Sequence, residues 1–165
     1  MKIDPERKVG VFDMDVISKF PALRKQQMDT VRWMEGDWSA ENSVRATPVS
    51  PAYTDTYPYT YRFSEDGTTL CILRGGKEVP NLTYDAFSKK WVFMLPGGGA
   101  FGILTSPGWK DGSIEFIGHV LMLGVECEMR TTVTRRSDRE YYMINHEKNP
   151  DGSWVVVDDW IFRKR

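Results

Sequence analysis

The 165 residues, 41% apolar and 27% charged, have the composition of one globular domain rather than a disordered or membrane polypeptide. Lys and Arg total 22 against 23 Asp and Glu, a net charge of -1, so no global field draws nucleic acid or an anionic membrane surface to the protein. Cys71 and Cys127 are too few for a disulfide framework, and acids interrupt every apolar run before it reaches signal-peptide or transmembrane length, so the expected location is the cytoplasm.

Residues 1–29 read as an N-terminal arm and the start of a helix, and residues 30–165 as the folded body. The arm lacks clean periodicity, and its apolar residues Val11, Phe12, Val16, Ile17 and Phe20 are expected to lie over the domain. A helix is predicted from Pro21 to Trp33, with Pro21 in its first turn and Leu23, Met28 and Val31 roughly on one side; Gly36 stops it.

From Asp37 onward the period changes to two, and turn residues recur every eight to twelve positions. Strands are predicted over Trp38–Arg45, Tyr57–Phe63, Thr69–Arg74, Leu82–Asp85, Lys90–Leu95, Phe101–Thr105, Ser113–Leu121, Val125–Arg135, Tyr141–Glu147 and Trp154–Phe162. Glu65-Asp66-Gly67, Gly75-Gly76, Lys110-Asp111-Gly112 and Pro150-Asp151-Gly152 supply tight turns, so neighbouring strands pair antiparallel. About ten strands with hardly any helix must close or stack to protect their edges, and closure into an up-and-down barrel is expected.

Tyr57, Tyr59, Tyr61 and Phe63 alternate with polar residues, which turns a wholly aromatic face inward. Met129 shares the apolar face of its strand with Cys127 and Val133, opposite Glu126, Glu128 and Arg130. On the last strand Trp154, Val156, Asp158, Trp160 and Phe162 are in phase, opposed by Val155, Val157, Asp159 and Ile161. That strand is expected to be covered on both sides, by the arm or by a second copy in a homodimer.

Thr30-Val31-Arg32-Trp33-Met34-Glu35-Gly36-Asp37-Trp38 resembles the opening of many calycins, a helical turn followed by Gly-x-Trp at the first strand. The resemblance implies that Trp38 plugs one end of the barrel, and that a cation after the last strand, Arg163 by position, stacks on it. Thr83-Tyr84-Asp85 with Lys90-Trp91-Val92, the Lys110-Asp111-Gly112-Ser113-Ile114 hairpin, and Asp151-Gly152-Ser153-Trp154 ending in Phe162-Arg163-Lys164 are similar to a bacterial calycin-like family of unknown function, related in fold to lipocalins and fatty-acid-binding proteins. The implied fold is an all-β, antiparallel, up-and-down calycin-like barrel of about ten strands with an N-terminal helical segment.

A barrel of this size encloses more room than side chains readily fill. The expected function is binding of a small hydrophobic or amphipathic molecule among Tyr59, Tyr61, Trp91, Phe93, Met129 and Trp160, with Arg130 paired to a ligand carboxylate if its side of the strand lines the interior. The alternative is a cofactor-independent cyclase, isomerase or lyase in which Asp158, His146 or His119 moves a proton. A filled barrel, with no cavity above about 300 Å³, is the third reading and would defeat both. His119 and His146 are far apart in sequence, no His-x-x-x-His or Cys-x-x-Cys spacing occurs, and no metal is expected. No cofactor is expected either: some calycin relatives hold haem through one axial histidine, but the residues that surround such a ligand are not evident here.

Overall fold

A computed structural model describes residues 2–4, 9–11, 14–48, 50–97 and 99–165. Phe12 and Gly98 lie outside the described residues, as do the side chains of Val11 and Val16. Strands β1 (Lys2–Asp4) and β2 (Val9–Val11) pair as an antiparallel ribbon, followed by α1 (Met14–Ile17) and α2 (Phe20–Asp29).

The helix is shorter than expected and a 3-10 turn, Arg32–Met34, follows it. Thr30 ends it chemically: its hydroxyl bonds the Gln27 carbonyl at 2.7 Å, its own N–H bonds the same carbonyl at 3.0 Å, and the Val31 N–H bonds the Met28 carbonyl at 3.1 Å. Pro21 sits in the first turn, where its missing N–H costs nothing. Arg24 anchors the helix to the body through the Tyr84 carbonyl at 3.0 Å, and Phe20 packs edge-on against Phe87.

The body is β3 (Gly36–Val44), β4 (Tyr53–Phe63), β5 (Thr69–Arg74), β6 (Lys77–Asp85), β7 (Lys90–Pro96), β8 (Ala100–Ser106), β9 (Trp109–Lys110), β10 (Ser113–Met122), β11 (Val125–Arg135), β12 (Glu140–Lys148) and β13 (Trp154–Lys164). Each long strand pairs antiparallel with the next, β13 pairs with β3, and β10 pairs with β11, so ten strands close into a ring; the two-residue β9 is an appendage on β10. This is the closed, all-β, up-and-down barrel expected from the turn spacing. Closure leaves no long unpaired edge. Gly75-Gly76, Asp111-Gly112 and Leu123-Gly124 each hold two successive positive φ values, the twist a two-residue hairpin needs.

Two strands run longer than their apolar alternation: β4 begins at Tyr53 and β6 at Lys77. Within β6 the register against β5 shifts so that Leu82 faces Leu70 and Pro80 faces Cys71. Asn81 is thus the extra residue, and its side-chain amide bonds the Met94 carbonyl at 3.0 Å.

A second bulge corrects the expected face of β13. Asp158 pairs with Asn145 but Val156 pairs with His146, leaving Val157 as the extra residue. Asp158, Trp160 and Phe162 keep the inward phase, whereas Trp154 lies outside, under the Arg130 guanidinium 4.8 Å from its ring centre. Exposed apolar residues also pair on the outer wall away from β13: Phe101 of β8 (68% exposed) lies in register with Leu121 of β10 (48%).

The core fills one end of the barrel. Met28 and Val31 are fully buried there, over Trp38, whose indole N–H donates to the Met34 carbonyl at 2.7 Å. Tyr141 stacks on Phe162 at 4.3 Å and meets Trp38 edge-on at 5.1 Å. Trp38 therefore closes the barrel as the resemblance implies, but the cation over it is Lys164, not Arg163. Strand alternation places Arg163 outside, near Glu140 and Glu41. Among the described residues, no helix is long and apolar enough to cross a membrane.

Candidate functional site

Above that plug the barrel holds a cavity of about 780 Å³. Its walls come from the inward phase of the strands: Tyr59 and Tyr61 of β4, Phe93 of β7, Phe116 of β10, Met129 of β11 and Trp160 of β13. Tyr59 stacks on Tyr61 at 6.0 Å and meets Trp160 edge-on at 6.0 Å, so β4 and β13 present one continuous aromatic surface. The Tyr141 hydroxyl, also facing the cavity, donates to the Tyr61 hydroxyl at 3.3 Å. Burial raises both phenols above the ordinary tyrosine range, which keeps them neutral donors.

The polar groups are few and lie mostly on β12 and β13. The Thr131 hydroxyl donates to Asn145 Oδ1 at 2.6 Å, and Asn145 Nδ2 donates to Asp158 Oδ1 at 2.6 Å. Each member is inward because the strand alternation puts it there, and the chain of donors satisfies what would otherwise be costly buried polar atoms. Desolvation raises the Asp158 carboxyl above its usual range, partly offset by the Asn145 and Asn42 amides and the nearby Trp160 N–H. That indole N–H is buried and makes no hydrogen bond of full geometry. At the mouth, Arg74 donates to the Gly97 carbonyl at 3.2 Å, and Arg45 pairs with Asp159.

Five of the residues expected in the interior, Tyr59, Tyr61, Phe93, Met129 and Trp160, meet around this cavity, and so does Asp158. Trp91 points inward at the plugged end, where it packs edge-on to Tyr84 at 5.6 Å and lines a separate hollow of about 480 Å³ under α2 with Trp33 and Trp109. Arg130 does not line the cavity. Because Met129, Thr131 and Val133 take the buried phase of β11, Arg130 lies outside between Trp154 and Glu115.

Both histidines are also on the outer wall. His119 is exposed on the same face as Ile117 and Leu121, while their chain neighbours Phe116 and Val120 point to the inside. His146 is in register with Arg130, and burial and that cation together lower its pKa. Neither histidine reaches the cavity, so the two proton-transfer roles considered for them have no geometry here. Among the described residues, no three of His, Cys, Asp and Glu come together as a metal site.

Asn42, Asn81, Asn145 and Tyr141 are cavity residues that the aromatic pattern passes over. Tyr141 and Asn145 carry a signal in retrospect, since they occupy the phase opposite Tyr142, Ile144 and His146. Asn81 carries none, being placed by a bulge.

No family model matches the chain, and no curated protein matches it. Solved structures do. A protein of unknown function from the DUF3598 family of Nostoc punctiforme aligns with a TM-score of 0.51 at 11% identity, over 82% of this chain and 48% of that one. Rv2717c from M. tuberculosis aligns with a TM-score of 0.52 at 8% identity, over 84% of this chain and 97% of that one. The chain thus spans about half the length of the Nostoc protein and nearly all of the mycobacterial one. At such identities the likeness is one of fold, and the fold these proteins share with this chain is the barrel.

Proposed function

We propose that the protein binds a small hydrophobic or amphipathic molecule inside the barrel. One observation carries this reading: a cavity of about 780 Å³ whose wall is mainly aromatic and aliphatic, interrupted by a short polar array. Ordinary ligand sites occupy about 300–1,000 Å³ and combine apolar walls with a few fixed polar groups. A filled barrel would have no such space. The calycin-like relationship suggested by Gly36-Asp37-Trp38 agrees with this reading and stays part of the proposal.

The test is fluorescence of N-phenyl-1-naphthylamine, which brightens on leaving water. Saturable brightening is expected with the wild type. It should be lost in Met143→Trp, which puts an indole where the half-buried Met143 now lines the cavity. No brightening, or brightening unchanged by that substitution, would reject the interior as the binding site.

A second reading, a cofactor-independent cyclase, isomerase or lyase, is favoured by Asp158 alone. A carboxyl with a raised pKa facing an aromatic cavity has the character of a general acid or base. Once a substrate is in hand, Asp158→Asn should abolish turnover and retain binding; retained turnover rejects the role.

A further inference from the structure

Taking the barrel interior as a binding cavity, we infer that its ligand carries a protonated amine, seated between the Asp158 carboxylate and the ring of Trp160. This rests on the binding reading above and names the ligand class for it. Asp158 lines the cavity, and among the described residues no Lys or Arg lies within ion-pair distance of it. The nearest candidate by strand register, Arg45, next to the Val44 that pairs with Asp158, is taken by the neighbouring Asp159.

The carboxylate is held rather than loosely placed. Asn145 donates to Oδ1 while its own oxygen is occupied by Thr131, so the amide can neither turn nor leave without breaking a second hydrogen bond. The Asn42 amide and the Trp160 N–H also lie against this carboxylate, and its roughly four lone-pair sites leave room for a further donor. A buried carboxylate without a counter-charge is costly to the fold, and an incoming cation relieves that cost.

The surroundings suit a cation better than a neutral donor. The Trp160 ring, two residues from Asp158 on the same face of β13, stands 6.0 Å from Tyr59 and 5.9 Å from Tyr57, so the carboxylate borders an aromatic cluster. One further acid, Glu147, lines the cavity beside Asn145. The cation lining the cavity on β5, Arg74, donates to the Gly97 carbonyl and lies beside the Tyr59 hydroxyl, not in an ion pair with Asp158. The rest of the wall accepts an aryl or alkyl group, so the ligand is an amphipathic amine.

The test is calorimetric titration of the full chain with 3-phenylpropylamine, 3-phenylpropanol and 3-phenylpropanoate at neutral pH. The amine should bind about tenfold or more tightly than the alcohol, and more tightly than the carboxylate, the difference expected of one charge-assisted contact. Asp158→Asn, which keeps the shape and an acceptor for Asn145, should weaken the amine by about tenfold and shift the alcohol by less than about twofold. An amine no tighter than the alcohol overturns the inference and leaves the cavity reading standing. A carboxylate that binds tightest also overturns it and transfers the polar contact to Arg74. No binding by any of the three defeats the cavity reading itself and this inference with it. The wild-type ranking decides the matter even if the variant does not fold.

Discussion

The Lys164 ammonium lies 5.3 Å from the centre of the Trp38 ring and donates to the Trp33 carbonyl at 3.1 Å. One cation thus ties the last strand to Trp33 and Trp38 at the plugged end. Lys164→Met keeps the alkyl stem and removes the charge, and it should cost about 1–2 kcal/mol, the sum of a partly desolvated cation–π contact and a hydrogen bond. Arg163→Met, next along the chain, removes only exposed ion pairs with Glu140 and Glu41 and should change stability by less than about 0.5 kcal/mol. Urea unfolding of the two variants separates them; equal losses would mean that Lys164 is not a fastener of the plug.

Gly36 sits against the same lysine. Its φ is +130°, and a Cβ there would lie 2.7 Å from Lys164 Cε. Gly36→Ala should cost about 1–3 kcal/mol, combining backbone strain with a collision. The collision is with a flexible side chain and the strain is not, so adding Lys164→Ala should recover part of the loss. A double-mutant cycle in urea measures that coupling, and strict additivity would assign the whole effect to the backbone.

Much of the barrel was legible because alternation and turn chemistry act locally. The aromatic phase of Tyr57–Phe63 and the two-sided pattern of Val125–Arg135 each dictate a strand and its inner face without help from the rest of the chain. The misplacements trace to effects that period two cannot encode. The polar starts of β4 and β6 pair through backbone alone, and the bulge at Val157 changes which side Trp154 occupies without altering the spelling of the strand. Trp91 was assigned the correct side and the wrong depth, since alternation says nothing about position along the barrel axis. Asp158 was readable as inward because it lies on the same side of the bulge as Trp160, whereas its partner Asn145 belongs to a strand whose other face drew notice through His146.

The Tyr61 and Tyr141 hydroxyls form a buried pair at 3.3 Å, so removing either leaves the other without its partner. Tyr61→Phe and Tyr141→Phe should each cost about 1 kcal/mol, and the double variant less than their sum, because it leaves no orphaned hydroxyl. Both phenols have raised pKa values when folded, which fixes the sign of the alkaline response. Their stabilising contribution is full below the ordinary tyrosine pKa of 10.0 and is lost as pH rises through the folded values. The double Phe variant should therefore lose less stability than the wild type in strong alkali, as followed by circular dichroism. A loss equal to the wild type would place the alkaline sensitivity elsewhere.

Asp158 sets the opposite edge of the pH range. Its folded pKa is raised from 3.8 by burial, so the fold carries no penalty from it below that value. The penalty develops as pH rises and the carboxylate must ionise inside the barrel. Asp29, Asp37, Asp66, Asp85 and Asp151 are shifted downward by hydrogen bonds and pull the other way, with stability lost as they protonate in acid. Total stability against pH therefore mixes both signs, and the difference between wild type and Asp158→Asn isolates one. That difference should favour the Asn variant increasingly as pH rises from the acid side of the usual carboxylate range toward neutrality, because Asn carries no charge to desolvate while keeping an acceptor for Asn145. Paired urea titrations across that interval measure it. A flat difference would mean that Asp158 is solvated as well in the barrel as in the unfolded chain, and a cavity able to do that would be a wet channel rather than an apolar binding site.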